Sequence, residues 1–238
     1  MRGVFVTGTD TEVGKTVVAC AIAATLAARG TRVATFKPAV TGLTEPQEAL
    51  PDHDLLRLSA GSPQSAEAVS PYRFGPAVSP HLAAELVGIE IAPGHLVAAA
   101  EAAASSADVL VTEGVGGLLV PLRDRYLVRD FAVELGFPLV VVARPGLGTI
   151  NHTLMTIDCA RAAGLQVAAV VITPWGRFPR AIERSNRQTI ELLADVETFG
   201  LPRLEIANGI GPVRSLPAER WVGQPVAAAT PDRYAPIA

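Results

Sequence analysis

Short, continuously apolar runs alternate with longer segments of helical spacing along most of the chain. VFVTG (4–8) is a strand-sized run ending at a glycine, and GKTVVACAIAATLAARG (14–30) follows with helical spacing and a closing glycine. TRVATFKP (31–38) reads as a second strand. Beyond it the pattern predicts a helix over 94–107, a strand over DVLVTEG (108–114) and a helix over 126–136. A strand over PLVVVARPG (138–146), a helix over 150–164 and a strand over VAAVVITP (167–174) continue the series. These strands are apolar at every position rather than every second one, as strands buried on both faces are. Alternation with helices then predicts a three-layer α/β fold, a mostly parallel sheet flanked by helices on both faces.

One stretch breaks the rhythm. Residues 43–80 are rich in Pro, Ser, Gly and Asp, with a single short helical pattern at DHDLLRLSA (52–60), and read as a loop-rich insertion. No internal repeat or low-complexity segment divides the chain, so 1–238 is expected to form one domain, organised clearly to about residue 207 and weakly patterned after Gly209. With 49% hydrophobic and 18% charged residues over 238 positions, a large buried core is expected. The formal net charge of -3 gives no general attraction to nucleic acid or to an anionic membrane, so any phosphate must be held locally. The longest apolar runs fall far short of the roughly 20 residues of a membrane-spanning helix. The N-terminus lacks the apolar run of a signal peptide, and a cytoplasmic protein is expected. Cys20 and Cys159 fall in helical patterns and read as small core residues, while His53, His81, His95 and His152 lack the spacing of a zinc site.

The candidate chemistry starts at GTDTEVGKT (8–16), where five residues separate Gly8 from Gly14, one more than the usual phosphate-binding loop has. A glycine turn opening a helix presents backbone N–H donors and a helix dipole to phosphate. Gly14 allows close approach, Lys15 can reach the β- and γ-phosphates, and the Thr16 hydroxyl suits Mg²⁺. Lys37 ends a buried strand, where an unpaired ammonium is costly, so an anion is expected beside it. Glu113 ends DVLVTE at the sheet edge where doubly wound folds bind ligands. Asp52 and Asp54 both read as helix N-terminal acids. Thr149, Ile150 and Asn151 precede a helix and can either cap it or offer N–H groups to an anion. Thr11 and Thr41, taken alone, are ordinary turn residues.

The ungapped GTDTEVGKT resembles the loop of dethiobiotin synthetases. KPAVTG (37–42), Asp54 in DHDLL, PYRFGPAVSPH (71–81), EGVGGLLVP (113–121) and LGTINHT (147–153) follow in that family's order, so the resemblance covers about residues 1–160. It implies a P-loop enzyme that joins 7,8-diaminononanoate, CO₂ and ATP into dethiobiotin, ADP and phosphate. The route runs through a carbamate, its phosphorylated mixed anhydride, and ring closure by the second amine. By the same resemblance Lys37, Lys15 and Thr11 serve catalysis, and Thr9, Asp10, Thr11, Glu12, Val13, Gly14, Lys15 and Thr16 hold the nucleotide. Thr16, Asp54 and Glu113 hold Mg²⁺, Asp54 being preferred to Asp52 on the family pattern. Thr41, Ser79, Pro80, His81, Gly116, Thr149, Ile150 and Asn151 bind substrate, the last three across a homodimer interface.

The chain departs from the family where relatives place an asparagine that reads adenine: Thr173 and Pro174 stand there and cannot make a two-point amide contact. Nucleoside triphosphates besides ATP are therefore expected to be usable. Arg180, Arg184 and Arg187 on one helical face read as a solvated stripe. Two other functions share the loop: a partitioning-type ATPase switch, which typically carries a second lysine where Thr9 and Asp10 stand, and another ATP-dependent amide-forming ligase.

Overall fold

The computed structural model describes residues 1–46, 50–206 and 208–226. Its elements run β1 (Gly3–Gly8), α1 (Lys15–Ala28), β2 (Val33–Phe36), β3 (Ala39–Val40), α2 (Asp52–Ala60), α3 (Ala66–Val69), β4 (Tyr72–Arg73), α4 (Pro80–Leu86) and α5 (Pro93–Ala104). They continue with β5 (Val109–Glu113), β6 (Pro121–Arg123), β7 (Tyr126–Leu127), α6 (Val128–Leu135), β8 (Leu139–Ala143), α7 (Thr149–Ala162), β9 (Val167–Ile172), α8 (Ala181–Ala194) and β10 (Thr198–Gly200). A 3₁₀ turn spans Ala218–Trp221. Among the described residues no helix is long and apolar enough to cross a membrane.

Six strands form one parallel sheet in the order β10-β9-β8-β1-β5-β2. Central β1 is buried at all six positions and β5 and β8 at all five, which is why they read as unbroken apolar runs. Odd and even residues of β1 feed different layers. Val4 and Val6 join the core under α1 and α2, whereas Phe5 joins Phe36, Phe131 and Phe137 on the opposite face, with Phe5 and Phe131 rings edge-on at 6.1 Å. A third cluster, with Val141, Ile157, Val170 and Ile190, packs α7 and α8 against β8 and β9. Helix α1 is apolar nearly all round because sheet, α2 and the C-terminal segment enclose it, and Cys20 lies fully buried within it; burial pushes its thiol up to about 12. Cys159 is half-buried.

The helix predicted from residue 126 starts at Val128, because Asp130 reaches back to accept the Leu127 N–H at 2.9 Å and Tyr126–Leu127 pair instead with β6. The stretch 43–80 has more order than a loop-rich insertion implies: it holds α2, α3, β4, which pairs with β3, and the start of α4. The weakly patterned C-terminal stretch also has a definite place as far as residue 226, its last 12 residues lying outside those described. Leu216, Ala218 and Trp221 are buried against the α1 side, and Gly3 and Gly223 exchange backbone hydrogen bonds of 2.9 and 3.0 Å.

Every strand of the six-stranded sheet ends at the same edge. Gly8, Phe36, Glu113, Ala143, Ile172 and Gly200 mark that C-terminal edge, where an open α/β sheet places its ligands. The segment leaving β9 is anchored there by Trp175, whose N–H bonds the Leu201 carbonyl at 2.7 Å and whose ring lies on Gly200. A methyl at Gly200 would meet indole carbons at 2.5–2.7 Å. Gly200→Ala should therefore cost about 1–3 kcal/mol, lowering the melting temperature by several degrees. An unchanged thermal denaturation curve would show that the indole does not rest on Gly200.

Candidate active site

The loop between β1 and α1 folds over on two left-handed residues, Glu12 (φ 57°) and Gly14 (φ 95°), the second of which L side chains rarely tolerate. A side chain at Gly14 would also strike the Thr173 methyl at 2.8 Å, so Thr173 packs directly against the loop. Asp10 organises the turn. Its carboxylate accepts the Thr11 N–H at 2.7 Å and the Arg144 guanidinium at 3.0 Å, and its carbonyl accepts Lys15 Nζ at 3.0 Å. The first N–H groups of α1 have no acceptor within the helix and face this turn with its positive dipole end. Gly116, at φ 60°, places its Cα beside the loop, with Thr11 Oγ1 3.8 Å from where a Cβ would stand.

Beside the loop lies a compact charge cluster. Lys37 leaves β2 with a side chain only 5% exposed, and its ammonium donates to Asp52 Oδ2 and, at 2.7 Å, to Glu113 Oε1. Thr16 Oγ1 donates to the same Glu113 oxygen at 2.9 Å. Glu113 is completely buried at the end of β5, and its Oε2 has no hydrogen-bond partner. Burial alone would lower the Lys37 pKa, but the Asp52 and Glu113 carboxylates outweigh it and leave it raised, so the ammonium stays charged. Asp52, opposed by its own burial, is lowered by Lys37. Burial lowers Lys15 despite Glu113, and burial raises Glu113 despite Lys37. Two ammoniums and two carboxylates thus balance one another, while the unpartnered Oε2 shows that the oxygen set is not saturated. Thr16, Asp52 and Glu113 supply hard oxygens of the kind Mg²⁺ takes, and few enough to leave positions for water and phosphate, so the residues fit that ion.

Asp54 does not join this cluster. It pairs with Arg57 at 2.7 Å and faces His53 at 3.8 Å, on the other side of α2. Residues two apart on a helix point to different faces, so only one of the two acids can meet Lys37, and it is Asp52. Above the cluster opens a cavity of about 390 Å³, lined by Thr16, Thr41, Asp52, Val40, Leu55 and Ile206. Of the remaining positions singled out from sequence, Ser79 precedes α4, Pro80 is its buried first residue and His81 is exposed. Thr149, Ile150 and Asn151 open α7 after Gly148 (φ 88°), with no acidic residue in the first turn and no side-chain cap; the buried Thr149 hydroxyl has no partner. Neither group lines the cavity above Lys37. A second, shallower cavity lies between Thr9 and Asp10 on one side and His152, Met155 and Thr156 of α7 on the other. Thr173 spends its N–H on the Ala143 carbonyl at 3.0 Å, and Pro174 has none to give. Arg144 joins the site as well, and its one signal in the sequence is a charge directly after an otherwise apolar strand.

A family model described as an AAA domain matches residues 2–206. Among curated proteins, the chain is 45% identical over 178 residues to the ATP-dependent dethiobiotin synthetase BioD of Anaeromyxobacter dehalogenans (strain 2CP-1), covering 74% of this chain and 78% of that protein. It is 39% identical over 215 residues to the protein of that name from Bacillus licheniformis, covering 87% and 88%, and 36% identical to that of Bacillus subtilis (strain 168), covering 86% and 88%. Solved structures of similar fold include a ParA family ATPase from Chlorobium tepidum TLS, with a TM-score of 0.52 at 14% identity over 85% of each chain. The septum site-determining protein MinD complexed with Mg-ADP from Pyrococcus horikoshii OT3 gives 0.50 at 16% identity, over 80% of this chain and 77% of that one. At such identities these two share the fold and nothing more is read from them.

The two neighbouring acids separate by experiment. Asp52→Asn removes a partner of a buried ammonium and should cost about 1–2 kcal/mol, less than the 3–5 of a fully enclosed pair because the Asp52 side chain is 38% exposed. Asp54→Asn disturbs only pairing with Arg57 and His53 and should cost under about 1 kcal/mol. Urea denaturation of both variants checks this, and equal losses would mean that Asp52 is not the partner that Lys37 depends on.

Proposed function

The chain belongs to the ATP-dependent dethiobiotin synthetase family, and from that membership we propose that it closes the cyclic urea of dethiobiotin from 7,8-diaminononanoate and CO₂ at the expense of ATP. The observation that carries this reading is the balanced cluster of Lys15, Lys37, Asp52 and Glu113 at the sheet edge, beside a phosphate-binding turn and beneath a cavity bearing Thr41. Carbamate formation needs no protein nucleophile. What the reaction demands is alignment of anions and compensation of their charge, which fixed cations and backbone donors provide.

In this reading residues 9–16 wrap the triphosphate, Lys15 leaves the Asp10 carbonyl for the β- and γ-oxygens, and the Thr11 hydroxyl bonds a phosphate oxygen. Lys37 compensates the charge that grows as the phosphoryl group reaches the carbamate. Thr16, Asp52 and Glu113 would hold Mg²⁺, which when bound supplies further compensation on the phosphate oxygens. Thr41 lines the cavity for the diamine end of the substrate, while Gly116 and Ser79–His81, which do not line it, are given to the substrate on the family membership. Thr149, Ile150 and Asn151 receive the substrate carboxylate at the start of α7 in a second copy of the chain. Exposed Leu119 and Met155, at 55% and 62%, line one cavity beside that helix, and Leu147, 92% exposed, stands just before it, which supports a homodimer. One synthetase unit is taken to span residues 1–238.

Dethiobiotin formation from diaminononanoate and bicarbonate should depend on both and on Mg²⁺, with one phosphate released per product. ATP consumption indifferent to the diamine would remove the synthetase reading. Run with ATP, GTP and CTP, the same assay should give kcat/KM values within about tenfold, because neither Thr173 nor Pro174 can supply the roughly 1–3 kcal/mol of a bidentate base contact. A thousandfold preference for ATP would show that another segment reads adenine. Sedimentation at assay concentration should give a dimer, and a fully active monomer would rule out the shared site.

A further inference from the structure

The geometry points to Lys37 as an exchangeable counter-ion: its ammonium and a divalent cation are alternative partners of the Asp52–Glu113 pair, so that cation entry releases the lysine toward the reacting anion. This rests on the assignment of Thr16, Asp52 and Glu113 as the ion's ligands. Two of the three protons of the Lys37 ammonium go to those same carboxylates, and Thr16 donates to the Glu113 oxygen that Lys37 also uses. Mg²⁺ would sit about 2.0–2.1 Å from such oxygens. An ammonium held at 2.7 Å from Glu113 Oε1 blocks that oxygen for a dication, and the other oxygen of the carboxylate, Oε2, is enclosed.

Charge and mobility both favour exchange over accommodation. The four ionised groups already sum to zero, so a dication entering alone would leave two uncompensated positive charges where desolvation is severe. A triphosphate brings its own negative charge and gives both lysines new partners. Glu113 cannot turn away, since it ends β5, pairs with Val6 of β1 and is entirely enclosed. Asp52 stands at the cavity mouth with its side chain 38% exposed, which gives the ion its way in. The part free to swing is the four-carbon stem of Lys37.

Mn²⁺ binding to the full-length protein without nucleotide, followed by electron paramagnetic resonance, tests this on the parent and on Lys37→Met, which keeps the stem and loses the charge. The parent should bind weakly, and the variant should bind at least about tenfold more tightly and melt at a higher temperature once Mn²⁺ is added. Affinities equal within about twofold in a folded variant would overturn the exchange. Should the variant need help to fold, folding restored by Mg²⁺ supports the idea. A variant that stays unfolded with Mg²⁺ overturns it, because the ion then cannot replace the ammonium. Neither readout uses dethiobiotin formation, so a failed activity assay and a failed exchange are separate results.

Discussion

A lysine ammonium buried at the end of a strand is intolerable without anions, and Lys37 organises the site around that constraint. Its two partners come from different parts of the fold, Glu113 from a central strand and Asp52 from the first turn of α2. Drawing them together fixes how α2 sits against the sheet and holds the glutamate beside Thr16 at the head of α1. The pairing therefore links the excursion between β2 and β5 to the phosphate-binding turn. Breaking any one member leaves a charge uncompensated away from water, which costs more than forming the pair ever returns.

The parallel topology explains why residues so far apart in sequence converge. Each strand delivers its last residue, or the one just after it, to one edge, so Gly8, Lys37, Glu113, Arg144 and Thr173 line a common edge without any long loop reaching across the molecule. Asp10 shows the economy of this arrangement. One residue holds a backbone N–H, the Lys15 ammonium and the Arg144 guanidinium, tying the turn after β1 to the end of β8.

Where the physics is local and one-dimensional, the sequence is readable. Strands covered on both faces must be apolar throughout, so β1, β5, β8 and β9 stand out, and the glycine turn before α1 announces itself by composition. Readability fails where three-dimensional packing decides. The three residues of edge strand β10 carry no periodicity. Strand β7 hides inside a helical pattern until Asp130 sets the true helix start. Asp52 and Asp54 are equivalent as letters near a helix start; which of them meets Lys37 depends on the rotation of α2 against the sheet, and composition does not encode it. The closing segment is fixed by Trp221 settling against α1, a contact that no local pattern foretells.

The bridge between Gly3 and Gly223 has a consequence for the order in which the protein is made. β1 carries the phosphate-binding turn, and it leaves the ribosome before the other strands of the sheet. Its opening residue exchanges hydrogen bonds with a partner synthesised roughly 220 residues later, on the order of 10–40 s at ordinary elongation rates. Until then the start of the central strand lacks that partner, although its sheet neighbours β5 and β8 are already made. Vectorial synthesis thus leaves the Gly3 end of β1, opposite the end that bears the nucleotide turn, without its C-terminal partner until nearly all of the described chain has emerged.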